Sequence, residues 1–257
     1  MGVIKALIAA FSTFSRIPVP SVRLDEKDFR YTLCAFPAIG LVIALLEMII
    51  FKICGMAGFG DILRVCIICA VPVIVTGGIH LDGYCDTCDA KSSYQPAEKK
   101  LEILKDPHIG AFGVIRLIVL ILFYVAAVSE IKNVWLFGLT FVVSRAFTAI
   151  SVVSLKSAKK TGMGASEKDN SNKKGVTISS VVWILVCLLA GYIISGAAGL
   201  ITSACMIAAC AVTYILYVRS VYKQFGGFTG DTSGWFLCVM ENVMAYVCVV
   251  CQLFINI

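Results

Sequence analysis

The chain has 257 residues, 59% of them hydrophobic and only 15% charged, with a mean hydropathy of +0.91. A water-soluble domain of this length needs far more polar surface, so the composition excludes one and predicts an integral membrane protein. The formal net charge of +6 does not point to nucleic acid, and no such partner is expected, because Lys and Arg in a membrane protein first report orientation.

Met1–Phe14 is amphipathic, with Lys5 near its start and no small-residue cleavage site. That pattern predicts an interfacial helix rather than a signal peptide. Ser15-Arg16-Ile17-Pro18-Val19-Pro20 breaks it, since each proline restricts itself and its predecessor. Ser21–Arg30 reads as charged loop. Apolar runs of roughly 20 residues then recur, each long enough to span as a helix. They lack the polar–apolar alternation of membrane strands. Seven spans are predicted: Tyr31–Cys54, Ile62–Ile79, Gly110–Val128, Asn133–Val153, Thr177–Ser195, Ala197–Val218 and Gly234–Phe254. The expected fold is all-α: one polytopic bundle of about seven transmembrane helices plus the N-terminal interfacial helix, a single domain over residues 1–257.

Between the second and third spans, Pro96–Lys105 predicts a surface helix, with Leu101 and Leu104 on one side and Glu98, Lys99 and Glu102 in water. Between the fourth and fifth, Ser154–Gly175 is rich in Lys, Gly, Ser and Asn and reads as a mobile loop. Most of the twelve cysteines sit in apolar runs, where Cys acts as a small hydrophobe. Three Cys-x-x-Cys pairs occur without His at zinc spacing, so reduced thiols are expected.

The basic residues sort by side. Lys5, Arg16, Arg23, Lys27 and Arg30 share one side with Lys91, Lys99, Lys100 and Lys105. Lys156, Lys159, Lys160, Lys168, Lys173, Lys174, Arg219 and Lys223 join them, making seventeen of the 22. By the positive-inside rule this side is cytoplasmic, and the C-terminus lies outside.

The stretch Gly77-Gly78-Ile79-His80-Leu81-Asp82-Gly83-Tyr84-Cys85-Asp86-Thr87-Cys88-Asp89 falls on that cytoplasmic side. On a helix Asp82, Asp86 and Asp89 share one face. Three stacked carboxylates repel unless a cation sits among them, and an all-oxygen set favours Mg²⁺, which usually also binds substrate phosphate. The alternative is a solvated acidic helix start. Gly226-Gly227-Phe228-Thr229-Gly230-Asp231 echoes the pattern Gly-Gly-x-[His/Thr]-x-Asp. Two Gly-rich helix caps, or two turns that bring Asp82 and Asp231 to one cleft, both account for the echo.

Further candidates follow. Lys105 offers a point cation for phosphate, and Asp106 a metal ligand or a partner for that Lys; interfacial snorkelling of Lys105 is the alternative. Arg145 lies within a span and must face a partner, either a diphosphate or Glu241 at similar depth. Glu241 itself lies ten residues beyond Asp231 and is functional by default at that depth. Glu47 is buried nearer the opposite face and is left out of the site. His80 suits either a general base or a hydrogen-bonding neighbour of Asp82.

Four stretches together resemble the cobalamin synthase family, the adenosylcobinamide-GDP ribazoletransferases. They are Phe14–Pro20, Gly77–Ala90, Leu101–Gly110, and Gly226–Gly234 followed by Glu241. The resemblance covers nearly the whole chain. It departs at Cys85 and Ala90, where Ala and Gly are common, at Pro107-His108, where Ser-Arg is usual, and at Cys238, where the family often has a second Glu. It implies an Mg²⁺-dependent, multi-pass enzyme of the cytoplasmic (inner) cell membrane with its active site on the cytoplasmic face. The implied reaction joins adenosylcobinamide-GDP to α-ribazole, or its 5′-phosphate, giving adenosylcobalamin, or its 5′-phosphate, and GMP. Asp82, Asp86 and Asp89 would hold metal, with Asp106, Asp231 and Glu241 as further ligands. Lys105 and Arg145 would neutralise diphosphate, and Asp231 or His80 would take the nucleophile's proton. Membrane lipid is an expected partner, and a homo-oligomer is compatible with the sequence. Two other readings compete. A CDP-alcohol phosphotransferase usually carries Asp-Gly-x-x-Ala-Arg, which Tyr84-Cys85-Asp86 breaks. A secondary transporter would use its intramembrane carboxylates for ion coupling.

Overall fold

The computed structural model describes residues 3–159 and 161–255. The expectations that fall on Met1, Gly2, Lys160 and the side chain of Lys27 lie outside the described residues. Eleven helices follow in order and no strand forms among the described residues. They are α1 (Val3–Phe14), α2 (Glu26–Phe29), α3 (Thr32–Met56), α4 (Asp61–Thr76), α5 (Ile79–Ser92) and α6 (Ala97–Ile103). Then come α7 (Ala111–Ser129), α8 (Val134–Ser154), α9 (Met163–Asn170), α10 (Lys173–Phe225) and α11 (Gly230–Phe254).

Five of these are long and apolar enough to cross a membrane, and a sixth span is counted when α4 and α5 are taken as one bent pair. The 53-residue α10 leaves helical geometry at Ser195 and Gly196. Gly191 meets Gly199 and Ser203 beyond that break, a contact a straight helix forbids, so α10 doubles back as a hairpin. Counting its two arms, 173–194 and 197–225, separately adds one, so the expected seven is reached only when the bent α4–α5 pair is also counted as one span. The bundle is an all-α polytopic membrane protein.

Helix α8 is the axis. It packs against α3, α10 and α11 and is buried along most of its length, with Phe137, Phe141 and Ala149 essentially inaccessible. The rim faces outward with apolar side chains: Leu122 of α7 and Leu189 of α10 are exposed. Exposed Leu and Ile over such a surface suit lipid rather than water. Helix α1 is short and apolar and lays Ala6, Ala9 and Ala10 against α3. All twelve cysteines are free thiols.

Two findings modify the sequence reading. Ser154–Gly175 is not featureless: it contains α9, and Ala158 N–H donates to Phe228 O at 2.8 Å while Phe228 N–H donates to Lys156 O at 2.9 Å. Those two backbone bonds, both made by Phe228, tie the basic loop beside the second Gly-Gly turn. Periodicity does not report such a pairing. The surface helix α6 is as expected, with Leu104 buried against Ala90 and Phe225 and Glu98, Lys99 and Glu102 exposed.

Candidate active site

The site begins at a bend. Gly77 and Gly78 both adopt positive φ, 65° and 78°. Gly77 N–H donates to Ile74 O and Gly78 N–H to Val73 O, closing α4 with left-handed caps that only Gly adopts without strain. The bend turns α5 by 91° from α4. Helix α5 therefore lies across the end of the bundle instead of continuing the span. The second Gly-Gly turn is also a left-handed cap, with Gly226 at φ 74°. Thr229 then starts α11, its hydroxyl accepting from Thr232 N–H at 3.1 Å. Both turns are thus helix caps, and they also bring the two acidic motifs together.

Gly83 makes that meeting close. A Cβ at residue 83 would lie 2.8 Å from Asp231 O and 2.9 Å from Asp231 Cα, so α5 rests on the start of α11 through bare backbone. Asp82 and Asp86 flank this contact and Asp231 forms it. The carboxyl of Asp86 is pushed up to about 6, first by burial and then by the charges of Asp82, Asp231 and Asp89. That is the electrostatic signature of acids gathered faster than cations compensate them. Lys159 offsets part of it: its Nζ donates to Asp231 Oδ2 at 3.1 Å and to Leu104 O at 3.3 Å.

Asp89 has a different place. Its carboxylate accepts from Gly110 N–H at 2.9 Å and Gly113 N–H at 2.8 Å, so it fixes the free N–H groups at the start of α7. Asp106 closes its own turn, accepting from His108 N–H at 3.0 Å, with the His108 ring 2.7 Å away. Those contacts hold its carboxyl below the usual range, and both residues are exposed. Lys105 is exposed next to Leu104, on which Lys159 rests.

The structure does not bring Arg145 and Glu241 to these acids. Arg145 Nη1 lies 2.8 Å from Glu241 Oε1, and the guanidinium is only 1% exposed. Ser144 Oγ donates to the same oxygen at 3.1 Å. Glu241 is ten residues beyond Asp231 on α11, about 15 Å along the axis. The pair is thus an intramembrane structural contact, the second of the two partners the sequence offered for Arg145. Glu47, set aside as near the opposite face, is fully buried and close enough to feel both charges. His80 sits edge-on to Phe36 with ring centroids 5.9 Å apart. Burial and then the Arg145 charge push it down to about 3. Its Nε2 is buried without a hydrogen-bond partner and faces the Arg145 side, so no hydrogen bond to Asp82 forms through it.

Two hollows meet here. A polar one of about 630 Å³ is lined by Ser15, Arg16, Gly77, Gly78, Asp82 and Asp86. An apolar one of about 390 Å³ lies deeper, between α4, α7, α8 and α11. Thr76 and Leu81 line both.

A family profile described as cobalamin-5-phosphate synthase, CobS, matches residues 6–250. The chain belongs to the cobalamin-5-phosphate synthase family. It is 41% identical over 251 residues to the adenosylcobinamide-GDP ribazoletransferase of Lachnoclostridium phytofermentans, covering 97% of this chain and 95% of that one. The enzyme of the same name from Clostridium botulinum strain Alaska E43 is 33% identical over 243 residues, covering 93% and 94%. That from Brevibacillus brevis is 32% identical over 255 residues, covering 95% and 96%. No solved structure matches the chain.

For a synthase of this family the remaining question is whether the residues suit a divalent ion. Asp82, Asp86 and Asp231 supply carboxylates only, which suit a hard cation such as Mg²⁺. Among the described residues no three His, Cys, Asp or Glu side chains close into a metal-holding group. Any ion held there would have to be completed by water and substrate phosphate. Sequence reasoning missed two cations of this synthase. Arg16 lies in a stretch read as a helix break and as part of the family resemblance, and it counts among the cytoplasmic basic residues, with no role at the site; its side chain runs beside Gly77, where a Cβ would come within 2.5 Å of Arg16 Nε. Lys159 is one of several lysines in a basic loop, and only the pairing of that loop with Phe228 selects it.

Proposed function

We propose that the protein is an adenosylcobinamide-GDP ribazoletransferase that works with Mg²⁺ on the cytoplasmic face of the cell membrane, surrounded by lipid. It would join adenosylcobinamide-GDP to α-ribazole or its 5′-phosphate and release GMP. The observation that carries the reading is the bare-backbone contact of Gly83 with Asp231, which sets Asp231 against the helix whose Asp82 and Asp86 line the polar hollow. The family and the names of the relatives supply the substrates.

In this reading a ribose hydroxyl of α-ribazole attacks the phosphorus on the cobinamide side of the diphosphate. A new P–O bond forms, the bond to the bridging oxygen breaks, and GMP departs with that oxygen. Asp82, Asp86 and Asp231 would hold Mg²⁺, which when bound neutralises charge on the phosphate oxygens. Arg16, which also lines that hollow, would offer a fork of donors to the diphosphate. Lys159, with Lys105 beside it, adds positive charge near Asp231. Asp231, in the first turn of α11 and against α5 at Gly83, would take the hydroxyl proton.

Incubating the protein in nanodiscs with adenosylcobinamide-GDP and α-ribazole should release GMP only when Mg²⁺ is present. Turnover of a CDP-alcohol, or ion-driven uptake with no GMP release, would reject the proposal.

A further inference from the structure

The apolar hollow has no role in the chemistry above, yet it is built. Its walls are Ile74, Leu120, Leu237 and their neighbours. At its lining lie three polar atoms that are buried and have no hydrogen-bond partner: Arg145 Nε, Tyr124 Oη and His80 Nε2. Arg145 Nε–H is a donor in any state, and the Tyr124 hydroxyl is free to donate. A buried donor left unpaired costs about 1–3 kcal/mol, so two of them in one apolar space call for an acceptor. Its volume of about 390 Å³ falls among small-molecule sites, which run from roughly 300 to 1,000 Å³.

We propose that this hollow receives the flat aromatic base of the nucleoside acceptor; the inference rests on the ribazoletransferase reading. A benzimidazole nucleoside has an apolar fused ring, which suits the walls. It carries one unsubstituted ring nitrogen with an open lone pair, which suits the unpaired donors. Its ribose follows directly, and Thr76 and Leu81 border both hollows, so a base held in the deeper one places its ribose in the polar one beside Asp82 and Asp86. An acyl chain from the bilayer also suits the walls, but it offers nothing to Arg145 or Tyr124. Tyr124 and Arg145 are thereby specificity residues for the acceptor, with Glu241 holding the guanidinium in place.

The test is direct binding of α-ribazole to the full chain in nanodiscs, by equilibrium dialysis without corrinoid substrate. Ala70→Trp fills the hollow from α4, and Tyr124→Phe removes one donor while keeping the ring. Ala70→Trp should weaken α-ribazole binding at least tenfold and Tyr124→Phe three- to tenfold. Both should bind GDP with Mg²⁺ within twofold of wild type, which shows that the polar hollow is intact. Should Ala70→Trp misfold, Tyr124→Phe decides alone. Wild-type affinity for α-ribazole in the variants, as when an acyl chain occupies the hollow, would overturn the inference. So would absence of α-ribazole binding to wild type. GMP release by wild type is scored separately, so the ribazoletransferase reading stands or falls on its own.

Discussion

Replacing Gly83 by Ala tests the geometry at its tightest point. The new methyl would sit 2.8 Å from Asp231 O and 2.9 Å from Asp231 Cα, and both of those atoms are backbone. Ordinary contact begins near 3.4 Å, so α5 and α11 must separate by about 0.6 Å. Two opposing terms act on stability. Ala gains about 1 kcal/mol over Gly in a helix, while overpacking a tight contact costs about 1–3 kcal/mol. The net change in stability is thus about 2 kcal/mol or less. Catalysis has no such compensation, because a displacement of about 1 Å between cooperating groups costs on the order of 100-fold. Gly83→Ala should therefore lower GMP release by about 30- to 100-fold while the protein still purifies folded. Gly55→Ala is the matched control, since nothing lies within 4 Å of its Cβ position and its φ is not left-handed. The assay is initial rate in nanodiscs at saturating Mg²⁺, beside thermal unfolding of each variant. Turnover by Gly83→Ala within twofold of wild type would refute the argument that this contact sets the acids.

Other substitutions separate roles the sequence merged. Asp89→Ala should lower thermal stability by about 1–2 kcal/mol through loss of the cap on α7, whereas Asp82→Asn, at an exposed position, should abolish turnover with unchanged stability; equal melting curves for the two would contradict this. Glu241→Leu leaves Arg145 buried without its partner and should destabilise by about 3–5 kcal/mol, and adding Arg145→Leu should restore most of it, read as Tm in detergent. The Asp86 carboxyl, pushed up to about 6, is ionised above that pH and protonated below it. Protons then compete with the cation, so Mg²⁺ affinity should fall toward tenfold per unit below about pH 6, and Asp86→Asn should flatten the slope; a flat profile in wild type from pH 7 to 5 would contradict it. By the same sign, the metal-free fold should gain stability as pH falls from about 6 toward the ordinary carboxylate range, because the folded state then binds the extra proton.

The spans were legible because burial in lipid leaves an apolar run of fixed length; the hairpin in α10 turns where two spans were expected to meet, and only its second arm runs well past its expected end, to Phe225 rather than Val218. The acidic motifs were legible as well, since carboxylates at i, i+4 and i+7 on a membrane helix have few structural uses. What sequence could not separate was direction. Asp89 belongs to the same helical face as Asp82, but it points at a neighbouring helix start that comes 21 residues later. Asp106 reads as a ligand beside Lys105 until its turn closes on His108. Lys159 is marked out by its bonds to Asp231 and to Leu104 O, which follow from the pairing of its loop with Phe228. In each case a contact between distant segments decided the role, and such contacts leave no periodic trace.

The buried Arg145–Glu241 pair has a structural consequence for the surface site. It joins α8, the most buried helix, to α11, whose first turn carries Asp231. Rotating α11 about its axis would withdraw Glu241 from a guanidinium with no other carboxylate bonded to it among the described residues. That would leave a charge unpaired at a depth where each unpaired ion is expensive. The pair therefore fixes the rotational setting of α11, and with it the direction in which Asp231 meets α5. Gly83 fixes how closely the two helices approach, and the left-handed Gly77-Gly78 bend fixes the angle. An acidic site at a membrane surface, built from two separate segments, needs both helices held this way, because its own like charges push them apart.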